Sequence, residues 1–183
     1  MKFAYADPPY LGCGKLYADR HTDALAWDDP VTHQALIDRL VADYPDGWAL
    51  SGSAPSLKTL LPMCPPDVQV ASWSRTNSAP FYPVRVVKSW EPVIFRGGRQ
   101  RFSRGGDFVR DFLVAPFVVK GLIGAKPRLF CRWMFSLLGA QPGDQLDDLF
   151  PGSGAVGAAW AEWVGEKSPL PELPLERSDA AKT

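Results

Sequence analysis

The sequence has few residues that bind metals or form crosslinks, with only three cysteines and two histidines among 183 residues. Cys13, Cys64 and Cys131 lie far apart and form no CxxC pair, and only His21 and His33 could join them as ligands. This spacing argues against a zinc site and a disulfide framework, and it favours a reducing compartment such as the cytoplasm. We therefore expect free, buried thiols and no bound metal.

The chain also lacks an excess of either charge and any long apolar run. Lysine plus arginine and aspartate plus glutamate number 20 each, so the formal net charge at pH 7 is zero. A neutral chain has no general field that attracts nucleic acid, so such binding requires a local cluster of cations. Because we find neither a signal sequence nor a run of membrane-spanning length, we expect a cytoplasmic protein without a membrane partner.

Segments typical of strands and helices alternate along the chain, and its length predicts a single domain. In chain order they are a strand at 2–6, a helix at 30–44, a strand at 48–53, a short helix at 54–64, a strand at 68–75, one or two strands within 85–95, a helix at 126–139, and a strand followed by a helix within 143–163. The alternation predicts an α/β fold with a mostly parallel sheet and helices on both faces. We expect residues 85–95 to form a hairpin-like edge.

The helix at 126–139 has a clear apolar periodicity. Gly139 is a typical C-terminal stop for this helix. The side chains that recur at helical spacing, and that we expect in the core, are Leu129, Phe130, Trp133, Met134, Leu137 and Leu138.

The stretch FAYADPPYLGCG, residues 3 to 14, ends a predicted strand with an acid, two prolines and a tyrosine. Pro8 and Pro9 cannot donate to a sheet ladder, so pairing must stop there. The sequence therefore predicts that Asp7 and Tyr10 lie at a strand terminus.

A second informative stretch is DLFPGSGAVG, residues 148 to 157, where glycines separate a strand from a helix. Gly152, Ser153 and Gly154 would let the backbone approach a ligand, and the following helix would offer free N–H groups. With Gly157 the glycines spell GxGxxG, so a nicotinamide or flavin cofactor is an alternative, as is a purely structural turn. Only 26 residues follow Gly157, too few for the rest of a dinucleotide domain.

Together, DPPY at 7–10 and DLFPGSG at 148–154, the latter preceded by AKPRLFCRWMFSLL, resemble the S-adenosylmethionine-dependent amino methyltransferases that modify adenine N6 or cytosine N4. The motif order resembles the circularly permuted β group of that family, and the compact chain is similar to small phage or prophage members. The resemblance implies a Rossmann-like methyltransferase fold, S-adenosylmethionine as cofactor, and methylation of adenine N6 in DNA. Cytosine N4, RNA, or a non-catalytic nucleic-acid-binding protein on the same fold remain alternatives.

The resemblance also implies roles for individual residues. Asp7 and the carbonyl of Pro8, held in place by Pro9, would accept hydrogen bonds from the exocyclic amine, and Tyr10 would stack on an extruded base. The residues implied in cofactor binding are Asp7, Lys126, Pro127, Asp148, Phe150, Gly152, Ser153 and Gly154. For Lys126, Asp148 and Phe150, structural roles as a surface charge, a turn residue and a core residue are the alternatives.

Two segments depart from the family pattern. An acid that holds the cofactor ribose is expected about 20 residues after the first glycine, where this chain reads PLPELPLE and offers Glu166 and Glu172. We expect a methyltransferase domain at 1–167 and an extended tail at 168–183. Target recognition would depend on an arginine-rich loop at 96–120, or on a second subunit, and the loop could instead be only solvated. Its candidate phosphate contacts are Arg96, Arg99, Arg101, Arg104 and Arg110.

Overall fold

A computed structural model of the protein describes residues 1–19, 23–78, 84–100, 108–117 and 125–165. Its strands are β1 (Lys2–Ala6), β2 (Gly47–Ser51), β3 (Gln69–Ser74), β4 (Trp90–Gly97), β5 (Phe112–Val114) and β6 (Gln145–Asp148). Its α helices are α1 (Pro30–Asp43), α2 (Leu57–Leu60), α3 (Arg128–Leu137) and α4 (Ala155–Gly165). No described helix is both long enough and apolar enough to cross a membrane.

The strands form one sheet in the order β5-β3-β4-β2-β1-β6. β1 pairs in parallel with β2 and β6, and β3 pairs in parallel with β5. β4 is antiparallel to both of its neighbours, β2 and β3, so it alone runs against the common direction of the described strands. The predicted α/β fold with a mostly parallel sheet is confirmed.

The prediction of a hairpin-like edge at residues 85–95 is wrong. β4 lies inside the sheet and pairs along both sides, from Trp90 to Gly97. Its central residues, Val93, Ile94 and Phe95, are buried, as the near-continuous apolar run of a strand covered on both faces requires.

Helices cover both faces of the sheet, as predicted. On one face, α1 and α2 pack against side chains that alternate along the strands, namely Ala4, Ala6, Trp48, Leu50 and Ile94. On the opposite face, α3 and α4 pack against the intervening side chains, which include Phe3, Tyr5, Ala49, Trp73 and Val93. Because side chains along a strand point alternately to the two faces of the sheet, successive residues of each strand lie in different halves of the core.

Local signals explain where the helices begin and end. Asp29 caps α1 by accepting a hydrogen bond from the backbone N–H of Val31 at 2.9 Å, and Pro30 occupies the first helical turn. In α3, Phe130, Trp133 and Met134 are buried as predicted. Leu129 was also expected in the core, but it is 48% exposed because it lies on the side of the helix turned away from the sheet.

The arginine-rich segment contains more regular structure than the expected loop at 96–120. Arg96 belongs to β4, and Phe112–Val114 forms β5 at the edge of the sheet beside β3. Residues 101–107 and 118–120 lie outside the described residues, as do the tail at 168–183 and both Glu166 and Glu172.

The turn after α3 needs glycine for two reasons. Gly139 has a φ of +62°, a left-handed conformation that favours glycine. A Cβ atom at Gly139 would also lie 2.7 Å from the carbonyl oxygen of Arg99, a contact that requires the backbone to shift. Gly143 has a φ of +94° but would meet nothing within 4 Å.

Gly139→Ala should therefore destabilise the fold more than Gly143→Ala. We expect the free energy of unfolding to fall by about 1 kcal/mol for Gly143→Ala, because only the left-handed backbone is penalised. Gly139→Ala should cost roughly 1–3 kcal/mol more, because the added methyl group also overpacks the turn. Urea unfolding of the two variants measures the difference, and equal losses would contradict the packing of Gly139 against Arg99.

Candidate functional site

The two motifs singled out in the sequence meet at one edge of the sheet. Tyr5 in β1 lies opposite Asp148 in β6, and the backbone N–H of Leu149 donates to the carbonyl of Tyr5 at 2.9 Å. Because β1 and β6 are parallel neighbours, the residues that follow both strands emerge at the same edge. Asp7 and the glycine turn at 152–154 therefore lie on adjacent strand ends.

A buried lysine lies at the centre of the groups around Asp7. Lys126 is 6% exposed, and its Nζ lies 2.8 Å from Asp7 Oδ1 and 3.3 Å from Glu91 Oε2. The same ammonium group donates to the hydroxyl of Tyr10 at 3.0 Å. We call Asp7, Tyr10, Arg75, Glu91 and Lys126 the Lys126 cluster.

Glu91 connects the two sides of the Lys126 cluster. The hydroxyl of Tyr10 lies 2.8 Å from Glu91 Oε2 and 3.1 Å from Asp7 Oδ1. On the other side, Arg75 Nη1 donates to Glu91 Oε1 at 2.9 Å, and Arg75 Nη2 donates to the carbonyl of Lys88. Cations and carboxylates thus alternate in the order Arg75, Glu91, Lys126 and Asp7, and the hydroxyl of Tyr10 lies between the two carboxylates.

Burial and charge shift the pKa values of this cluster. Burial raises the pKa of Asp7, and the nearby Lys126 only partly opposes that rise. Burial alone would lower the pKa of Lys126, but the carboxylates of Asp7 and Glu91 outweigh it and hold that pKa above its usual value. Burial and the same carboxylates raise the pKa of Tyr10 well above its usual value. Lys126 therefore stays charged and Tyr10 stays neutral at physiological pH.

The glycine turn after β6 is open to solvent. Gly152 and Gly154 have φ values of +46° and +74°, and a Cβ atom on Gly154 would meet nothing within 4 Å. Ser153 accepts a weak hydrogen bond from the first backbone N–H of α4, at 3.4 Å. The turn therefore leaves free space beside the N-terminus of α4.

Asp148 presents an unpaired buried oxygen beside this turn. Its Oδ1 accepts a hydrogen bond from the backbone N–H of Phe150 at 3.3 Å, whereas its Oδ2 is buried without a hydrogen-bond partner. Burial raises the pKa of Asp148, and the negative charge of Asp7 raises it further. A buried carboxylate oxygen without a donor is costly unless a cation or N–H group binds it.

Phe150 lines a pocket next to the turn. Its ring packs edge-on against Trp27, with 5.1 Å between the ring centroids. The pocket has a volume of about 290 Å³ and is mainly apolar, with a lining of Trp27, Thr32, Ala35, Leu36, Arg39, Leu149 and Phe150. Leu149 and Phe150 connect this pocket to the glycine turn, which begins two residues after Phe150.

The remaining predicted cofactor residues lie at the start of α3. Pro127 is the residue immediately before the helix, and its carbonyl accepts the N–H of Cys131 at 3.1 Å. Lys126 directs its ammonium group to the Lys126 cluster, so the structure brings it together with Asp7 and Tyr10.

The predicted nucleic-acid contacts differ in their surroundings. Arg96 Nε donates to both carboxylate oxygens of Asp67, at 2.8 and 2.9 Å, and Arg99 Nη2 donates to both carboxylate oxygens of Asp144. Arg110 is exposed, with its guanidinium 5.7 Å from the centroid of the Phe112 ring. Arg101 and Arg104 lie outside the described residues.

Sequence reasoning missed Glu91 and Arg75. A signal for Glu91 was present, because it is the one acid inside the otherwise apolar run SWEPVIF. An acid in such a strand requires a buried partner or a position at the strand end. Arg75 ends the stretch VQVASWSR, and nothing in the sequence pairs it with Glu91.

The cysteines are free, and their environments differ from one another. Cys131 is buried as expected, whereas Cys13 and Cys64 are only half-buried. Burial raises the pKa of Cys131 to about 12 and that of Cys64 to about 11, so neither forms a thiolate readily. Among the described residues, no group of three or more His, Cys, Asp or Glu side chains is placed to hold a metal ion.

One solved structure has a similar architecture. No protein-family model and no curated protein sequence matches the chain. The crystal structure of the M1.HpyAVI–SAM complex is similar, with a TM-score of 0.58 and 18% identity over 88% of this chain and 78% of that chain. TTHA0409 from Thermus thermophilus, a proposed DNA modification methylase, has a TM-score of 0.48 and 15% identity over 89% of this chain and 77% of that chain. The first similarity shows the fold, and the chain adopts a Rossmann-like methyltransferase fold.

Proposed function

We propose that the protein transfers a methyl group from S-adenosylmethionine to the exocyclic N6 amine of adenine in DNA. The observation that carries this proposal is the position of two carboxylates, Asp7 and Asp148, on adjacent strand ends beside an open glycine turn. A cationic methyl donor and a neutral amine must meet in such a reaction. This edge offers acceptors for both of them.

The residues at the glycine turn fit S-adenosylmethionine. The cofactor carries an ammonium group and a sulfonium, and Asp148 Oδ2 is a buried acceptor that lacks a donor. Gly152 and Gly154 leave room for the ligand, and the pocket beside Phe150 suits a flat adenine ring. When bound, the cofactor supplies an electrophilic methyl group.

Asp7 would hold the amine. Lys126 binds Oδ1 of Asp7 at 2.8 Å, so we expect Oδ2 and the carbonyl of Pro8 to accept the N–H groups of the substrate. These hydrogen bonds would orient the nitrogen lone pair toward the methyl donor, whose methyl group would pass from sulfur to nitrogen. The surplus proton of the nitrogen then leaves to Asp7 or to water, and the raised pKa of Asp7 favours its role as acceptor.

Exposed groups near β5 support contact with nucleic acid. Arg110 is exposed, and Phe108 is 91% exposed close to it in the chain. A cation next to an exposed aromatic ring suits a phosphate and an unstacked base. Arg96 and Arg99 are already paired with carboxylates, so we assign them a smaller contribution.

Methyl-labelled S-adenosylmethionine and unmethylated genomic DNA test the reaction directly. We expect label in N6-methyladenine after digestion to nucleosides. Asp7→Asn should lower the rate at least about 100-fold because the amide adds a donor where the amine requires acceptors. Asp38→Asn, which alters an exposed side chain on α1 that accepts a hydrogen bond from Gln34, is the matched control and should be fully active.

Other outcomes of this experiment would correct the proposal. Label in N4-methylcytosine, or in RNA run in parallel, would keep the chemistry and change the substrate. An equal rate for Asp7→Asn and the wild type would exclude the role of Asp7. Binding of S-adenosylhomocysteine without transfer to any nucleic acid would favour a non-catalytic binding protein.

Asp148→Asn should weaken the binding of S-adenosylhomocysteine by roughly 10-fold, because a charge-assisted hydrogen bond to the ammonium group is lost. Asp147→Asn is the matched control, since Asp147 is the neighbouring residue of β6 but binds Lys2 and Tyr44 instead. Titration calorimetry measures both affinities. Equal affinities for Asp148→Asn and the wild type would contradict the assignment of Asp148.

The pH dependence of this affinity gives a second check. Because the pKa of Asp148 is raised, the wild type should lose affinity as the pH falls through that raised value. Asp148→Asn should lack this loss. NAD should not bind either protein, and measurable NAD binding would support an oxidoreductase instead.

Arg110→Ala should weaken binding to duplex DNA and reduce the slope of log K against log salt by about 1, because one phosphate contact is removed. Arg96→Ala, which loses a cation already paired with Asp67, should change the slope less. Fluorescence anisotropy across a salt series measures both slopes. A larger effect of Arg96→Ala would reverse our ranking of the two arginines.

A further inference from the structure

Glu91 shares two partners, Tyr10 and Lys126, with Asp7, but the proposed reaction gives it no role. It is opposite Trp73 at the beginning of β4. Because β4 is antiparallel to β2 and β3, its beginning lies beside the carboxyl ends of those two strands. Its side chain is only 14% exposed. A glutamate is rarely buried to this extent unless it is paired.

Donors surround Glu91 on both sides. Arg75 binds Oε1 at 2.9 Å, while Tyr10 at 2.8 Å and Lys126 at 3.3 Å bind Oε2. Only an ionised carboxylate offers acceptors at both ends. A glutamine in the same place would direct its NH₂ group at a donor on one of the two sides.

The phenol of Tyr10 has a single proton and two carboxylates within reach. The shorter distance is to Glu91, 2.8 Å against 3.1 Å to Asp7. When the Tyr10 hydroxyl donates its hydrogen bond to Glu91, it no longer donates to Asp7, and the phenol oxygen accepts a hydrogen bond from Lys126. Asp7 then retains more acceptor capacity for an incoming amine.

We propose that Glu91 is a positioning residue, which holds Tyr10 and Lys126 so that Asp7 presents a free acceptor oxygen to the substrate amine. This inference rests on the proposed function, since it assigns Asp7 the role of amine acceptor. Glu91 acts through Tyr10 and Lys126 and touches neither substrate nor cofactor. Its effect should fall on turnover and on ionisation of the site, with little effect on cofactor affinity.

The charged environment of Asp7 determines how a change at Glu91 would be detected. The titratable groups that face or influence Asp7 come from several elements and are Tyr5, Tyr10, Tyr17, Glu91, Lys126, Cys131 and Asp148, with Arg75 behind Glu91. Among them Glu91 is a like charge that raises the pKa of Asp7 and an opposite charge that raises the pKa of Lys126.

Removal of the negative charge of Glu91 should therefore shift the pKa values of Asp7 and Lys126 in the same direction. Without Glu91, the pKa of Asp7 falls because a like charge is lost, and the pKa of Lys126 falls because a counter-charge is lost. Since the reaction requires ionised Asp7 and charged Lys126, both limbs of the profile of kcat against pH should move to lower pH. If Glu91 acted only through packing, its removal would lower kcat at every pH without moving either limb of the profile.

Glu91→Gln tests the proposal in the whole chain. We expect kcat for methyl transfer to fall roughly 10- to 100-fold, because the side chain of Tyr10 is no longer held in position relative to Asp7. The KM for S-adenosylmethionine should stay within about twofold, because the partners of Glu91, namely Arg75, Tyr10 and Lys126, belong neither to the glycine turn nor to the pocket beside Phe150. Glu162→Gln, which changes an exposed partner of Arg128, is the matched control and should resemble the wild type in every respect.

Two further measurements keep the test decisive. Glu91→Asp retains the charge but shortens the side chain, so its kcat should fall while both limbs stay near their wild-type positions. Carbon-13 NMR of the Asp7 carboxyl, assigned with Asp7→Asn, should show a lower pKa in Glu91→Gln than in the wild type. An unchanged Asp7 titration, or a Glu91→Gln profile reduced without displacement, would overturn the proposal.

Failure of the proposed function gives a different result. If the wild type transfers no methyl group, the reaction is wrong, and the NMR titration still decides whether Glu91 controls Asp7. If the wild type is active and Glu91→Gln matches it in kcat and in pH profile, the inference on Glu91 alone is wrong.

Discussion

The rest of the site depends on one buried ammonium group shared between two carboxylates. Lys126 binds Asp7 and Glu91 at 2.8 and 3.3 Å with almost no access to water. Loss of one partner from a buried ion pair costs about 3–5 kcal/mol, because the remaining charge is left uncompensated. This constraint fixes the loop after β1 against the start of α3 and against β4. Three segments distant in sequence are thereby held at one edge of the sheet.

The topology explains why these segments meet. β1 lies between β2 and β6, so the end of β1 is next to the glycine turn on one side. β4 runs against the other strands, and this reversal brings its first residues to the edge where the parallel strands end. Asp7 after β1, Glu91 on β4 and Asp148 on β6 therefore lie at the same edge of the sheet. In our account, Asp7 binds the substrate amine and Asp148 binds the cofactor, whereas Glu91 orients the groups around Asp7.

Much of the fold could be predicted from the sequence, because the periodicity of strands and helices and the capping residues are local signals. The position of β4 could not, since its place between β2 and β3 depends on which strands pair with it, and no local pattern encodes that pairing. At the site, DPPY and the glycine turn were visible as motifs. The partnership of Glu91 and Arg75 depends on pairing between β3 and β4, which no local pattern encodes. The contact of Lys126 with Asp7 likewise joins residues 119 positions apart.

A crystal structure of the protein with S-adenosylhomocysteine tests the central claim most directly, because the claim concerns the placement of ligand atoms between two carboxylates. The account predicts that the ligand's ammonium group lies within hydrogen-bond distance of Asp148 Oδ2. It also predicts that the sulfur faces Asp7 and that the adenine enters the pocket beside Phe150. Ligand bound away from the ends of β1 and β6, or with its ammonium group distant from Asp148, would contradict the account.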